Sequence, residues 1–209
     1  MKYYICIIIT AMMILSLSSS CDSDRQMDRT IFIPDEEEPS LPAYTEWGYN
    51  SFGAKYDNRT YFLVSSNIVP CKILYKDGVL RFTLSGVLQA QNTSYYYGAE
   101  KEQITLSFSF PEENITQYSD LLKFNNKQIN LIDEDCVVKI IRGENERTLE
   151  LIEGILHFKR AQLLYIDDVP NRVILSGIFG LRFLENEFPT VISDGRFDLG
   201  INDNVFYAN

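Results

Sequence analysis

Residues 71–85 read CKILYKDGVLRFTLS and carry the strongest fold signal in the chain. The Asp77-Gly78 pair separates two runs that are rich in apolar and aromatic residues. An Asp-Gly connection favours a tight β-hairpin, because both residue types tolerate the positive φ that such a turn requires. We therefore predict two antiparallel strands that meet at Asp77 and Gly78.

The segments on either side of this hairpin show related strand patterns. Asp57-Asn58 predicts a second tight hairpin within residues 55–64. Residues 104–110 alternate apolar with hydroxyl residues, and Pro111 follows them. Because side chains of a strand point alternately to its two faces, this pattern predicts a half-buried strand with four residues on its inner face: Ile104, Leu106, Phe108 and Phe110.

The remainder of the chain favours an all-β fold. Further strands are predicted at residues 136–142, 148–153, 155–166, 172–183 and 196–201, with turns at 143–145, 167–171 and 194–195. Residues 112–122 are the one helix candidate, since Pro111 precedes them and acidic residues fill their first turn. We expect a single domain over residues 44–209, either an antiparallel β-sandwich or an open barrel-like sheet with one short helix.

The N-terminus has the layout of an export signal. Lys2 is followed by an apolar run and then by small residues up to residue 20, and Cys21 comes next. This arrangement resembles the lipobox of bacterial lipoproteins, in which the cysteine receives a diacylglyceryl group and its new amine is acylated after cleavage. Ser18 stands where a Leu is usual. Cys21 is therefore a predicted lipidation site, and the alternative is an ordinary secretory cleavage that leaves Cys21 unmodified.

Residues 21–43 are predicted to form the lipidated cysteine and an acidic, flexible tether. Like charges repel and prolines stiffen the chain, so this segment should be an extended spacer. Asp22 and Asp24 beside the cysteine resemble the acidic export signal of Bacteroidetes surface lipoproteins; a merely solvated linker is the alternative. We expect a lipid anchor in the bacterial outer membrane with the domain exposed at the cell surface, or facing the periplasm instead.

Composition excludes several classes of function. The formal net charge of −10 provides no basic surplus to neutralise phosphates, so we expect no nucleic-acid partner. His157 is the only histidine and lies in a strand pattern, so the chain has no histidine pair for a metal. No Gly-x-Ser-x-Gly motif occurs either. We therefore expect no cofactor, no metal site and no enzyme.

Two groups of side chains are candidate sites. Tyr95, Tyr96 and Tyr97 could bind a ligand, because tyrosines offer flat apolar faces with a polar rim; in a strand, however, at least one of them would point into the core. Cys71 and Cys136 could form a disulfide after export, or they could remain two buried free thiols.

Three short motifs resemble the ends of small uncharacterised Bacteroidetes lipoproteins of the outer membrane or cell surface. They are Glu46–Ala54 (EWGYNSFGA), Ser176–Phe179 (SGIF) and Ile192–Asp198 (ISDGRFD), in which Ser51 and Ile178 replace the usual threonines. The resemblance implies an all-β domain and an envelope location but no reaction. On physical grounds we expect Phe52 and Phe197 to face the core, and Arg196 to pair with Asp198 or with an acidic turn.

These observations favour a binding or accessory module for a glycan or an envelope protein. A small glycan hydrolase with a carboxylate pair is the alternative from another class, and such a mechanism requires two carboxyl groups roughly 5 to 9.5 Å apart. A purely structural envelope component is the third possibility.

Overall fold

The computed structural model describes residues 29–57, 60–90 and 102–208. In these ranges the chain forms twelve strands and one short 3₁₀ helix, Tyr118–Phe124. The strands are β1 (Ser51–Tyr56), β2 (Thr60–Leu63), β3 (Cys71–Lys76), β4 (Val79–Ala90), β5 (Glu102–Pro111), β6 (Lys127–Asn130), β7 (Val137–Arg142), β8 (Asn145–Thr148), β9 (Glu150–Ile166), β10 (Val169–Glu185), β11 (Phe188–Ile201) and β12 (Phe206–Ala208).

All twelve strands belong to one sheet with the order β6-β9-β10-β11-β1-β2-β4-β5-β7-β8. Strand β3 pairs with β4 and carries β12, which runs parallel to it, whereas the other neighbouring strands are antiparallel. The sheet is not closed into a barrel. The predicted all-β class with an antiparallel sheet and one short helix is therefore confirmed.

The core lies between two halves of this sheet, which curves so that its ends face each other. Phe82 of β4 contacts Phe158 of β9 and Phe197 of β11, with ring centroids 5.5 and 5.2 Å apart, although these strands are not neighbours of β4. Phe108 of β5 contacts Phe179 of β10 in the same way, at 5.7 Å. Edge-to-face and tilted ring pairs of this kind stabilise the core by more than the burial of their apolar area alone contributes.

Both hairpins that the sequence predicts are present. Asp77 and Gly78 have φ values of 52° and 78° and connect β3 to β4. Asp57, with a φ of 59°, follows β1 in the hairpin to β2, while Asn58 lies outside the described residues. The inner face of β5 is also as predicted, since all four of its apolar side chains are buried: Ile104, Leu106, Phe108 and Phe110.

The predicted turn at Asp194-Gly195 is wrong. Both residues lie inside β11. In the pairing of β11 with β10, Gly195 lies opposite Phe179 and Ile192 lies opposite Leu181, so β11 has one residue more than β10 between these two pairs. The result is a β-bulge, and the positive φ of Asp194 (53°) is the backbone feature that the turn signal detected. The chain reverses instead at Asn186 and Glu187, which both have positive φ.

Two other element predictions need correction. Residues 148–153 and 155–166 are not separate strands, because β9 runs without interruption from Glu150 to Ile166. The helix predicted at 112–122 begins later, at Tyr118, and is a 3₁₀ helix that buries Leu121 and Phe124. Asn114 has a φ of 56°, which is incompatible with helical backbone at that position.

Residues 30–43 are packed on the domain, in contrast to the extended spacer that their composition predicts. Pro34 and Pro42 form a β-bridge, the Asp35 N–H donates to the Leu41 carbonyl at 2.9 Å, and Leu41 is fully buried. Burial of Leu41 and the ion pair between Asp35 and Arg196 (2.6 Å) hold this segment in place.

None of the helical structure in the described ranges has the length and apolar character to span a bilayer.

Candidate functional site

The candidate residues from the sequence that the structure describes do not meet in one site. Cys21 and Tyr95, Tyr96 and Tyr97 lie outside the described residues. Cys71 and Cys136 are free thiols, the first fully buried and the second half-buried. Burial raises the pKa of both, and for Cys136 the charges of nearby aspartates add to the effect. Their chemistry is therefore that of protonated, unreactive thiols.

His157 is half-buried, and its Nε2 lies 3.3 Å from the Asn126 side-chain oxygen. Within the described ranges no three His, Cys, Asp or Glu side chains come together as a metal-binding group.

The three resemblance motifs converge on one buried carboxylate, that of Asp198. It accepts hydrogen bonds from the Ser176 hydroxyl (2.8 Å) and the Thr45 hydroxyl (2.5 Å). It also accepts three backbone N–H groups in the segment that leads into β1, from Trp47, Gly48 and Tyr49. A carboxylate enclosed by five donors has no lone pair directed at solvent, so this cluster holds the segment that leads into β1 in place.

The residues flanking Asp198 follow the sequence prediction. Phe52 and Phe197 are buried in the core. Arg196 pairs with Asp35, which lies in the acidic turn of residues 35–38, and not with Asp198. That turn is closed by the other oxygen of Asp35, which accepts the backbone N–H groups of Glu37 and Glu38.

A groove of about 710 Å³ lies on the outer face of the three strands β9, β10 and β11. Its floor includes Gly180, which has no side chain; a Cβ built there would meet only the Ile192 carbonyl, at 3.6 Å. Gly180 lies directly opposite Ile155 in the register with β9. We call this feature the outer groove.

Irregularities of the strands next to β10 border the outer groove. On the β9 side, Lys159 is the extra residue of a bulge between the pairs Ser176↔Arg160 and Gly177↔Phe158. On the β11 side lies the bulge that contains Asp194. Bulges bend a strand and redirect its side chains, and they are over-represented beside active and binding sites.

The walls of the outer groove are partly apolar and accessible to solvent. Ile155, Ile178 and Val191 are 45%, 36% and 41% exposed. The ring of Tyr44 adds an aromatic surface. Burial and the neighbouring Glu46 carboxylate raise the pKa of Tyr44, so its hydroxyl keeps its proton and donates to Glu46 at 2.9 Å. Contiguous exposed apolar surface beside polar groups is typical of a binding site.

In the part of the chain that the structure describes, four charged side chains line the outer groove: Glu153, Lys159, Asp194 and Arg196. Glu153 pairs with Arg182 (3.3 Å), and Asp194 pairs with Lys55 (3.2 Å). Arg196 is already paired with Asp35. Lys159 contacts no carboxylate among the described residues, and its Nζ lies 5.5 Å from the centre of the Tyr44 ring.

A second cleft, of about 720 Å³, lies where the described chain begins. Arg29 and Thr30 line it together with Gly200 of β11 and several amide side chains, namely Asn50, Asn67, Asn202 and Asn204. Arg29 is only eight residues after Cys21.

Sequence reasoning missed the outer groove, although one local signal was available. A glycine inside a strand pattern often marks a bulge or a site where another group approaches closely, and Gly180 lies inside the strand predicted at residues 172–183. Comparisons of the chain with protein-family models, with curated proteins and with solved structures gave no match.

Proposed function

We propose that the protein is a lipid-anchored binding module of the bacterial cell envelope, and that its outer groove binds a glycan chain. The observation that carries this proposal is the combination, in one open groove, of an aromatic ring, exposed aliphatic side chains and charged groups. The lipid anchor at Cys21 and the envelope location rest on the sequence of the N-terminus.

The chemistry of the outer groove supports a glycan as the ligand. A sugar ring has an apolar face of C–H groups and a rim of hydroxyls, so it needs flat apolar contacts beside hydrogen-bonding groups. Tyr44 and Ile155 supply apolar contacts, while Glu153 and Asp194 supply acceptors for hydroxyls. The Gly180 floor, which lacks a side chain, leaves room for such a ring.

The outer groove and the cleft that Arg29 lines occupy different positions along β11. Gly200 of β11 lines the cleft near Arg29, whereas Arg196 and Val191 of the same strand line the outer groove. At about 3.3 Å per residue, the groove extends from roughly 13 to 30 Å along β11 from that cleft. Most of the outer groove is therefore displaced along β11 from the cleft at which the described chain begins.

The test is a substitution that fills the outer groove. Gly180→Leu should abolish binding of the full-length detergent-purified protein to polysaccharides that the unmodified protein binds, as measured by affinity electrophoresis over a panel of acidic and neutral polysaccharides. Gly180→Ala is the matched control, because one methyl group leaves most of the space open. The proposal fails if the unmodified protein binds no polysaccharide, or if Gly180→Leu binds as well as Gly180→Ala does. Capture of an envelope protein in place of a glycan would also contradict it.

A glycan hydrolase is the second candidate, because Glu153 and Asp194 line the same groove. Hydrolysis by a carboxylate pair needs one carboxyl group that donates a proton and one that acts as base or nucleophile. The release of reducing ends from a bound polysaccharide, lost in both Glu153→Gln and Asp194→Asn, would establish this activity. Binding without such release favours the binding module.

A further inference from the structure

Among the described residues, the charges that line the outer groove are compensated at every position except one. Three of the four groups have a partner of opposite charge: Glu153 with Arg182, Asp194 with Lys55, and Arg196 with Asp35. Lys159 has none within the described ranges. Its ammonium group thus provides an uncompensated positive charge at a groove of a protein whose net charge is −10.

The local structure places Lys159 at this position. It is the extra residue of the β9 bulge, and its side chain is exposed beside the ring of Tyr44. An ammonium group near the face of an aromatic ring is attracted by the electron density of the ring. The cation and the aromatic surface therefore form one composite feature at the edge of the outer groove.

We infer that the outer groove selects an acidic glycan, with an anionic sugar substituent on Lys159 and the apolar face of the same sugar against Tyr44. This inference rests on the proposed function and names the ligand class. A neutral sugar would leave the ammonium group unpaired, whereas a carboxylate or a sulfate ester supplies the missing partner. Two anionic chemistries satisfy the geometry, a uronic acid and a sulfated sugar, and they share one negative charge beside an apolar ring face.

The overall charge of the protein makes this preference specific to the groove. A net charge of −10 repels polyanions in general, so an acidic polymer gains attraction only where the local charge is positive. Such an exposed ion pair changes the affinity by at most about fivefold for each bound acidic sugar.

The experiment uses polymer pairs that differ only in charge. Affinities of the full-length protein are measured for polygalacturonate against its fully methyl-esterified form, and for dextran sulfate against dextran. Lys159→Gln should weaken binding to the preferred acidic polymer about fivefold and leave the neutral polymer unaffected. Lys159→Arg should retain most of the affinity. The matched control is Lys76→Gln, which removes the same charge from an exposed lysine of β3, outside the groove.

The outcomes separate this inference from the proposed function. Preference for polygalacturonate identifies a uronic acid, and preference for dextran sulfate identifies a sulfated sugar. Equal binding of charged and neutral polymers that Gly180→Leu still abolishes would overturn the inference and leave the binding module intact. An equal loss in Lys159→Gln and Lys76→Gln would show long-range attraction only and would also overturn the inference. Absence of binding to all four polymers contradicts both.

Discussion

The hydroxyl of Ser176 donates a hydrogen bond to Oδ1 of Asp198 over 2.8 Å, and neither side chain is more than 1% exposed. The two residues face each other in the register of β10 and β11. Oδ1 of Asp198 also accepts the N–H of Gly48, 150 residues earlier in the chain. This carboxylate therefore ties β10, β11 and the loop before β1 together.

Asp198→Ala should destabilise the protein strongly. The substitution leaves two hydroxyls and three N–H groups without their acceptor, and each unsatisfied buried donor costs about 1 kcal/mol or more. We expect a loss of at least about 3 kcal/mol in the free energy of unfolding, measured by urea denaturation. Asp203→Ala, at an exposed position two residues after the end of β11, is the control and should change stability little. A similar loss in both variants would contradict the structural role of Asp198.

Gly177 and Gly180 lie three residues apart on β10 and should respond in opposite ways to alanine. At Gly177 a Cβ would lie 2.2 Å from the His157 carbonyl oxygen and 2.6 Å from the Phe197 ring, so overpacking should cost about 1–3 kcal/mol or more. At Gly180 the added methyl group has space, and alanine should be neutral or stabilising by up to about 1 kcal/mol. Thermal denaturation of both variants gives the comparison. Equal melting temperatures of the two variants would contradict the difference in space for a Cβ at Gly177 and Gly180.

The two thiols of the domain should remain reduced and differ in reactivity. In the native protein, Cys136 should react slowly with iodoacetamide and Cys71 should not react, because burial raises the pKa of both thiols and Cys71 is inaccessible. After unfolding in urea without a reductant, both should be alkylated. Peptide mass mapping measures each site. Failure of both cysteines to react in urea would demonstrate a disulfide between them.

Asp35 should make an acid-sensitive contribution to stability. The N–H of Glu38 is the largest influence that lowers the pKa of Asp35, and Arg196 adds to it, so the folded-state pKa lies below the ordinary value of 3.8. A lowered pKa gives a contribution that is present above the ordinary value and is lost as the pH falls through the folded-state value. The stability difference between the unmodified protein and Asp35→Asn should therefore be constant from pH 7 to about pH 5 and shrink below about pH 4.

Urea denaturation at several pH values measures this difference. Glu37→Gln is the matched control, because its exposed side chain has no partner in the described part of the chain. If the stability difference between the unmodified protein and Asp35→Asn did not change with pH, the Asp35 carboxylate would not be held by the Glu38 N–H and Arg196.

Strand identity and hairpin positions could be predicted because their causes are local. Asp77-Gly78 determines a turn through the φ values of two residues, and the alternation before Pro111 determines which face of β5 is buried. The same local signal misled at Asp194, where positive φ serves a bulge. Turn and bulge use the same backbone conformation, and only the partner strands distinguish them.

The packed segment of residues 30–43 could not be predicted, because its composition is that of a solvated linker. Leu41 is fully buried, and Asp35 pairs with Arg196, which lies 161 positions later in the chain. Whether an acidic stretch stays solvated or folds onto a domain depends on the cations that the domain presents.

Local sequence was sufficient for the all-β class, the positions of the tight hairpins and the inner face of β5, since each follows from the conformational preferences or the alternation of neighbouring residues. Three features follow from tertiary pairing only: the strand order, the donors around Asp198, and the bulges of the outer groove with a Lys159 that contacts no carboxylate among the described residues. These features arise from pairing and charge balance between segments that lie up to about 160 residues apart, and no local pattern encodes such distances.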